Sequence, residues 1–396
     1  MSILSHSVAG YLDHASWIRR MFEAGGQLKA RYGADNVYDF SLGNPDLPAP
    51  SAVAHGLRAF AAHAGEPFAF GYMPNGGFAW AREKLAAHLS KEQGVPLKAD
   101  QVILGCGAAG VLNAFLRAVI DPGEEMLAFA PYFVEYGFYV ANHGGSLRAV
   151  MSHKDDFRPD LAALEAAIGP KTRVVLINSP NNPTGVIYSR EDLTALAELL
   201  ENKSQEYGRP IWLVADEPYR FLAYDGVEVP SVLPLYPYAV VVSSFSKCLS
   251  LPGERVGYAA VSPRLPEAEE LMAGLTLTNR ILGFVNPPVV GQHLMAAALD
   301  SQVDLAVYAA RRKAMAQVLT EAGYDFLMPA GAFYFFPKAP GGDDVAFVNA
   351  LVEERVLAVP GSGFGCPGYF RLAFCVDEGV IRNAAEGFAR ARARIG

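Results

Sequence analysis

Cysteine is scarce in this chain. There are four in 396 residues (Cys106, Cys248, Cys366 and Cys375), and none belongs to a Cys-x-x-Cys pair. That spacing excludes a thiolate metal cradle and a disulfide framework, and it predicts reduced thiols in a cytoplasmic protein with no metal site. Positive charge is also in deficit. Lys and Arg number 33 against 41 Asp and Glu, giving a net charge of −8 with no basic block. Nucleic acid and anionic membrane are therefore not expected partners. No apolar run approaches the ~18 residues that a membrane span requires. The opening Met-Ser-Ile-Leu-Ser-His has neither the charged nor the apolar region of a secretion signal. Internal repeats and a low-complexity tail are absent as well.

Hydrophobic residues are abundant, at 51%, so a chain of this length can bury a large core and form two domains. Short β-rich runs alternate with amphipathic stretches. Strands are expected at 101–104, 125–129, 173–178, 211–215, 239–244 and 256–261, with helices such as 108–120 and 190–203 between them. This alternation predicts an α/β fold whose mostly parallel sheet is covered by helices on both faces. From about residue 288 the pattern becomes α+β. A long interrupted helix (289–322) leads to a strand near 331–336, a helix (344–354), strands near 357 and 369–374, and a last helix (378–395). The expected division is a large domain, 46–288, and a smaller one built from 1–45 and 289–396.

The most informative run is Ser243-Ser-Phe-Ser-Lys-Cys-Leu-Ser-Leu-Pro-Gly-Glu-Arg255. Lys247 stands among small hydroxyl residues at the end of an apolar strand, with Arg255 eight residues on. An amine there can form a Schiff base, while Ser244, Ser246 and Arg255 hold an anion beside it. That combination suits pyridoxal 5'-phosphate. Asp216 ends the strand Ile-Trp-Leu-Val-Ala-Asp; it reads either as a counter-ion for a pyridine nitrogen or as a cap on the turn Asp-Glu-Pro-Tyr219. In Asn178-Ser-Pro-Asn-Asn-Pro-Thr-Gly185 two prolines and a glycine fix the amide of Asn182. Gly105-Cys-Gly-Ala-Ala-Gly110 matches a dinucleotide fingerprint, yet the next strand ends Leu-Ala-Phe-Ala130 and lacks the acidic residue a nicotinamide enzyme needs. Bare N–H groups at a helix start bind any phosphate, so Gly107, Ala108 and Ala109 read as a phosphate cradle. Phe133 is a candidate to stack on the cofactor ring, or a core residue. Arg371 is a lone cation in the apolar stretch Tyr369–Phe374, there to grip a substrate carboxylate or to close an internal salt bridge.

Taken together, Asn-Pro-Thr-Gly, Asp-x-x-Tyr and Ser-x-Ser-Lys with an arginine eight on resemble the fold-type I aminotransferases of class I/II, the group that includes aspartate aminotransferase. The resemblance runs from Gly43 to Arg371. It implies that Lys247 carries the cofactor and shuttles the proton, that Asp216 pairs with the ring nitrogen, and that Asn182 and Tyr219 contact the ring oxygen. Arg371 would bind the α-carboxylate, with Gly43 approaching through its backbone. Tyr72, in Gly71-Tyr-Met-Pro-Asn-Gly-Gly77, would reach the phosphate of a neighbouring subunit, which implies a homodimer with shared sites. Two departures stand out. Phe133 replaces a frequent tryptophan. Arg280, the candidate for a distal carboxylate, lies one residue further from Asn286-Pro-Pro288 than the pattern has it; its other reading is a surface arginine at a helix end.

The implied activity is amino transfer between an L-amino acid and a 2-oxo acid, with aspartate or glutamate as candidate donor. The same cofactor motifs also suit a lyase or ring-closing synthase of this fold. A non-catalytic cofactor sensor would need a DNA-binding extension, and only 42 residues with no basic cluster precede Gly43.

Overall fold

The computed structural model describes residues 3–13 and 17–395. A seven-stranded sheet organises the larger part of the molecule. Its strands are β1 (Val102–Cys106), β2 (Glu125–Ala130), β3 (Ser146–Met151), β4 (Thr172–Asn178), β5 (Trp212–Asp216), β6 (Ala239–Ser244) and β7 (Val256–Val261). Their order is β1-β7-β6-β5-β4-β2-β3. Only the ladders to β7 are antiparallel; the other four are parallel. Every residue of β5, β6 and β7 is buried, as a sheet covered on both faces requires. The six expected strands are present within two residues at each end. β3 was not expected. It is an edge strand whose only buried residue is Val150, so it carries no apolar run to betray it.

The register decides what meets at the strand ends. Asn178, the last residue of β4, pairs with Asp216, the last of β5. β7 runs the other way, with Gly257 opposite Ser244. Its start therefore shares a rim with the C-terminal ends of its parallel neighbours, and Arg255 stands just before it. Helix α1 (Gly107–Val119) leaves β1 at once. Helices α2 (Glu135–Ala141) and α3 (Ala268–Ile281) follow. Helix α4 (Val289–Ala298), placed by the sequence division in the smaller domain, packs Leu294 and Met295 into the core of the large sheet.

A second core gathers residues from Val303 onward with part of the N-terminal segment and with Phe157, Tyr219, Leu222 and Tyr224. Phe333, Phe335, Phe347, Phe370 and Phe374 are fully buried in it. Helix α5 (Leu305–Glu321) shares this core with a three-stranded antiparallel sheet of β8 (Tyr334–Phe335), β9 (Val359–Pro360) and β10 (Phe370–Ala373) in the order β9-β10-β8. Tyr38–Asp39 adds a parallel bridge to Val356–Leu357, which ties the N-terminal segment to this body. The expected last helix is two, Glu378–Asn383 and Ala385–Ile395. Among the described residues no helix is long and apolar enough to cross a membrane.

Candidate active site

A cavity of about 270 Å³ lies where the ends of β4 and β5 meet α1, α2 and the second core. Gly43, Ala108, Ala109, Phe133, Asn182, Asp216, Tyr219, Lys247 and Arg371 all line it. Nine positions singled out from sequence thus converge although they span more than 300 residues of chain. A larger cavity of about 510 Å³ lies on the other side of the Lys247 turn and is lined by Ser244 and Cys248.

The Lys247 amine donates to the carbonyl of Gly43 at 2.7 Å. Burial lowers it to about 8, and the Arg371 and Arg255 guanidiniums push in the same direction. Asp216 is its counterpart. Its Oδ2 accepts from the Tyr136 hydroxyl at 2.5 Å, while Oδ1 is buried with no partner. Burial raises this carboxyl to about 7, and Glu217 adds to the rise against the pull of the Tyr136 hydrogen bond. A bare carboxylate oxygen is costly in an apolar wall unless a cation is meant to meet it.

Asn178 donates its side-chain amide to the Asp216 carbonyl at 2.7 Å and accepts from the Asn182 N–H at 2.7 Å. The strand register thereby holds the Asn-Pro-Thr-Gly loop against the end of β5. The Asn182 side-chain oxygen accepts from Arg371 at 3.1 Å. Arg371 also donates to the Ser41 carbonyl at 2.6 Å, and its Nε has no partner. The groups acting on its charge are the phenols Tyr334 and Tyr219 and the thiol of Cys375. The guanidinium is therefore buried against neutral groups, with no ion pair to it among the described residues. The Tyr219 hydroxyl meets that of Tyr334 at 2.7 Å.

Gly107, Ala108, Arg255 and Gly257 are brought together by close packing. Gly107 has φ +71°, and a Cβ there would lie 2.6 Å from the Arg255 guanidinium. A Cβ on Gly257 would come within 2.4 Å of the Gly107 carbonyl carbon and 2.5 Å of the Ala108 nitrogen. The three segments approach so closely that only glycine fits, and the start of α1 faces the Arg255 side chain. Ser244 and Ser246 are buried in the neighbouring turn; neither lines the Lys247 cavity. Tyr72 is 97% exposed. Arg280 is exposed at the end of α3, beside a separate cavity with Arg82, Asp100 and Glu269. This chain does not bring those two into the site.

Three contributors escaped the sequence reading. Tyr136 and Tyr334 sit in aromatic-rich stretches where no spacing distinguishes them from core. Asn178 opens a recognised loop, but its role depends on strand register. Position was a usable signal for Asn178 alone: a polar residue ending a buried parallel strand.

A buried amine and an unpartnered carboxylate oxygen share one cavity, beside a glycine-walled helix start with an arginine. Such an arrangement has the chemistry to hold a phosphorylated aldehyde with a cationic ring. The chain matches the sequence profile of "Aminotransferase class I and II" over residues 35–388. It is 31% identical over 377 residues to an aspartate/prephenate aminotransferase of Thermus thermophilus, covering 92% of this chain and 93% of that one. It is 33% identical over 358 residues to an aspartate aminotransferase of Thermotoga maritima, covering 89% and 90%. The crystal structure of an amino transferase from Eubacterium rectale superposes with a TM-score of 0.96 at 38% identity, each chain covered completely. The chain belongs to the class I and II aminotransferases and is a pyridoxal-phosphate-dependent transaminase.

Proposed function

We propose that Lys247 bonds the cofactor aldehyde and moves the substrate α-proton, and that aspartate or glutamate is the amino donor. The observation that carries the first part is the shared burial of the Lys247 amine and the bare Asp216 Oδ1 in one cavity. Bound pyridoxal phosphate supplies a ring that spreads the charge left when the α-proton departs. Asp216 would keep the ring nitrogen protonated. Asn182 and Tyr219 would hold the ring oxygen, and Phe133 would lie on the ring face. The 107–109 backbone, Ser244, Ser246 and Arg255 would hold the phosphate. Arg371, with the Gly43 backbone, would grip the α-carboxylate. Its fork suits a bidentate contact that fixes which substrate bond faces the Lys247 amine. The depressed basicity of Lys247 leaves a useful fraction of neutral amine near neutral pH to take the proton.

The donor assignment is supported by the names of the Thermus and Thermotoga relatives. It requires a cation for the distal carboxylate. Arg280 of a second copy would provide it, in a homodimer where Tyr72 also crosses to the neighbouring site. A second reading rests on the lining: Lys247 and Arg371 are the only cations among the described residues around the cavity, whose other walls include Leu112, Phe133, Tyr136 and Tyr139. That lining favours a neutral or aromatic donor. A donor panel run on wild type and Arg280→Ala separates them. Under the first reading, Arg280→Ala lowers kcat/KM for aspartate by ~10²-fold and leaves alanine unchanged. No selective loss removes Arg280 and the shared distal contact.

A further inference from the structure

We infer that Tyr334 is a positioning residue that sets the direction of the Tyr219 hydroxyl and couples it to Arg371; this rests on the roles proposed for those two residues. Tyr334 lies in Gly331-Ala-Phe-Tyr-Phe-Phe336, where nothing in the sequence separates it from its packed neighbours.

Three contacts meet on this one side chain. Its hydroxyl oxygen is 2.7 Å from that of Tyr219, with the rings edge to face at 5.6 Å and 86°. The Arg371 guanidinium carbon lies 4.7 Å from its ring centre. A Cβ on Gly43 would lie 2.1 Å from the Tyr334 hydroxyl oxygen and 2.9 Å from the ring carbon that bears it. The backbone is fixed too, because Ala373 of β10 pairs with Tyr334 of β8. Tyr334 therefore touches a ring-oxygen contact, the carboxylate grip and the backbone whose carbonyl holds the Lys247 amine.

Two phenols share one hydrogen bond, so only one proton lies between them. If Tyr334 donates, the Tyr219 proton is left to point into the cavity. The geometry favours that polarity: the cation over the Tyr334 ring makes its hydroxyl the better donor. Burial raises Tyr334 to about 12 and Tyr219 well above the ordinary phenol range. The titratable and charged groups facing the pair are Arg371 and Cys375, with Tyr308 beside Tyr334 and Tyr136 beside Tyr219. Of these only Arg371 carries charge near neutral pH; the Lys247 amine, hydrogen-bonded to the Gly43 carbonyl, lines the same cavity and adds a second cation below about 8. Tyr334 thus steadies the donation from Tyr219 to the cofactor's ring oxygen, and the carboxylate grip shares its packing.

The test is an absorbance titration of the holoenzyme, read as the pH midpoint of the bound chromophore. Losing donation to the ring oxygen makes that oxygen more basic, so the midpoint rises. Tyr219→Phe is expected to raise it by about one unit or more, and Tyr334→Phe by about half to one unit. Tyr334→Phe keeps the ring under Arg371, so KM for the amino donor stays within about twofold while kcat falls. Tyr334→Leu removes the ring and raises KM by about 2- to 30-fold as well. A shift in Tyr219→Phe with none in Tyr334→Phe overturns the inference and leaves the role of Tyr219 standing. No shift in either overturns both. Gly43→Ala presses on Tyr334 from the other side and is expected to raise the midpoint too. Should Tyr334→Phe not fold, an unmoved midpoint in folded Gly43→Ala holoenzyme overturns the inference.

Discussion

Lys247 and Asp216 are held from opposite directions toward the uncharged state, at about 8 and about 7 respectively, both chiefly by burial. Each shift has a measurable sign. Only a neutral amine attacks an aldehyde, so with Lys247 in the proposed role capture of pyridoxal phosphate by the apoenzyme should quicken as pH rises through about 8. Stopped-flow absorbance follows it directly, and a pH-independent rate would place the reacting amine elsewhere. For Asp216 the folded value lies above the ordinary 3.8. The folded apoenzyme therefore holds a proton that the unfolded chain has released. The stability from this group is full below 3.8 and lost as pH climbs through about 7. Asp216→Asn escapes that loss. Apo Asp216→Asn should be more stable than apo wild type at pH 8 by roughly 1–3 kcal/mol, the cost of a buried polar group left incompletely paired. Urea unfolding at pH 5 and pH 8 reads the difference. In the holoenzyme the same change should lower kcat by ~10²–10³-fold with cofactor still bound. Near-normal turnover would give the ring nitrogen another partner.

Among the elements, β7 and the start of α1 meet backbone against backbone. Gly257→Ala places a methyl against the Gly107 carbonyl carbon and the Ala108 nitrogen, at 2.4 and 2.5 Å. Backbone cannot yield as a flexible side chain can. The helix start must move, and the Kd for pyridoxal phosphate should rise at least ~10-fold, the equivalent of about 1.4 kcal/mol. Equilibrium dialysis measures it; an unchanged Kd would mean that the 107–109 backbone does not hold the phosphate. The same elements show what was legible in the sequence. Asp216 and Lys247 announce themselves as polar residues ending apolar runs, and the proline-fixed Asn182 as a rigid loop. β3 was hidden because a strand with one buried residue has no hydrophobic pattern. Tyr136 and Tyr334 were hidden because an aromatic that positions another side chain has the same neighbours in sequence as one that only fills space. The break at Ala384 between the last two helices has no proline or glycine to mark it.

At the scale of the whole molecule, two candidate residues, Tyr72 and Arg280, lie outside the cavity of their own chain. Tyr72 is almost wholly exposed, with Phe68 and Phe70 nearby at 93% and 62%, a surface that a second copy would cover. Mixing Tyr72→Phe with Lys247→Ala subunits tests the crossing directly. In a freely exchanged equal mixture about one quarter of all sites should combine both intact residues. Activity approaching that fraction of wild type is expected. Hybrids no better than their parents would confine each site to a single chain.

The strand order has a further consequence, for synthesis. β1 has one neighbour in the sheet, β7, which leaves the ribosome about 150 residues later. Until then an apolar strand lacks its ladder. The helix start that follows it lacks the wall formed by Gly257 and Arg255. A nascent chain cannot assemble the cradle before residue 261, nor complete the site before Arg371. Free pyridoxal phosphate should therefore do little to guide early folding and should act late, by locking a nearly finished chain. Stalled nascent chains ending before and after β7 would show protease protection of the 102–119 region appearing only in the longer ones.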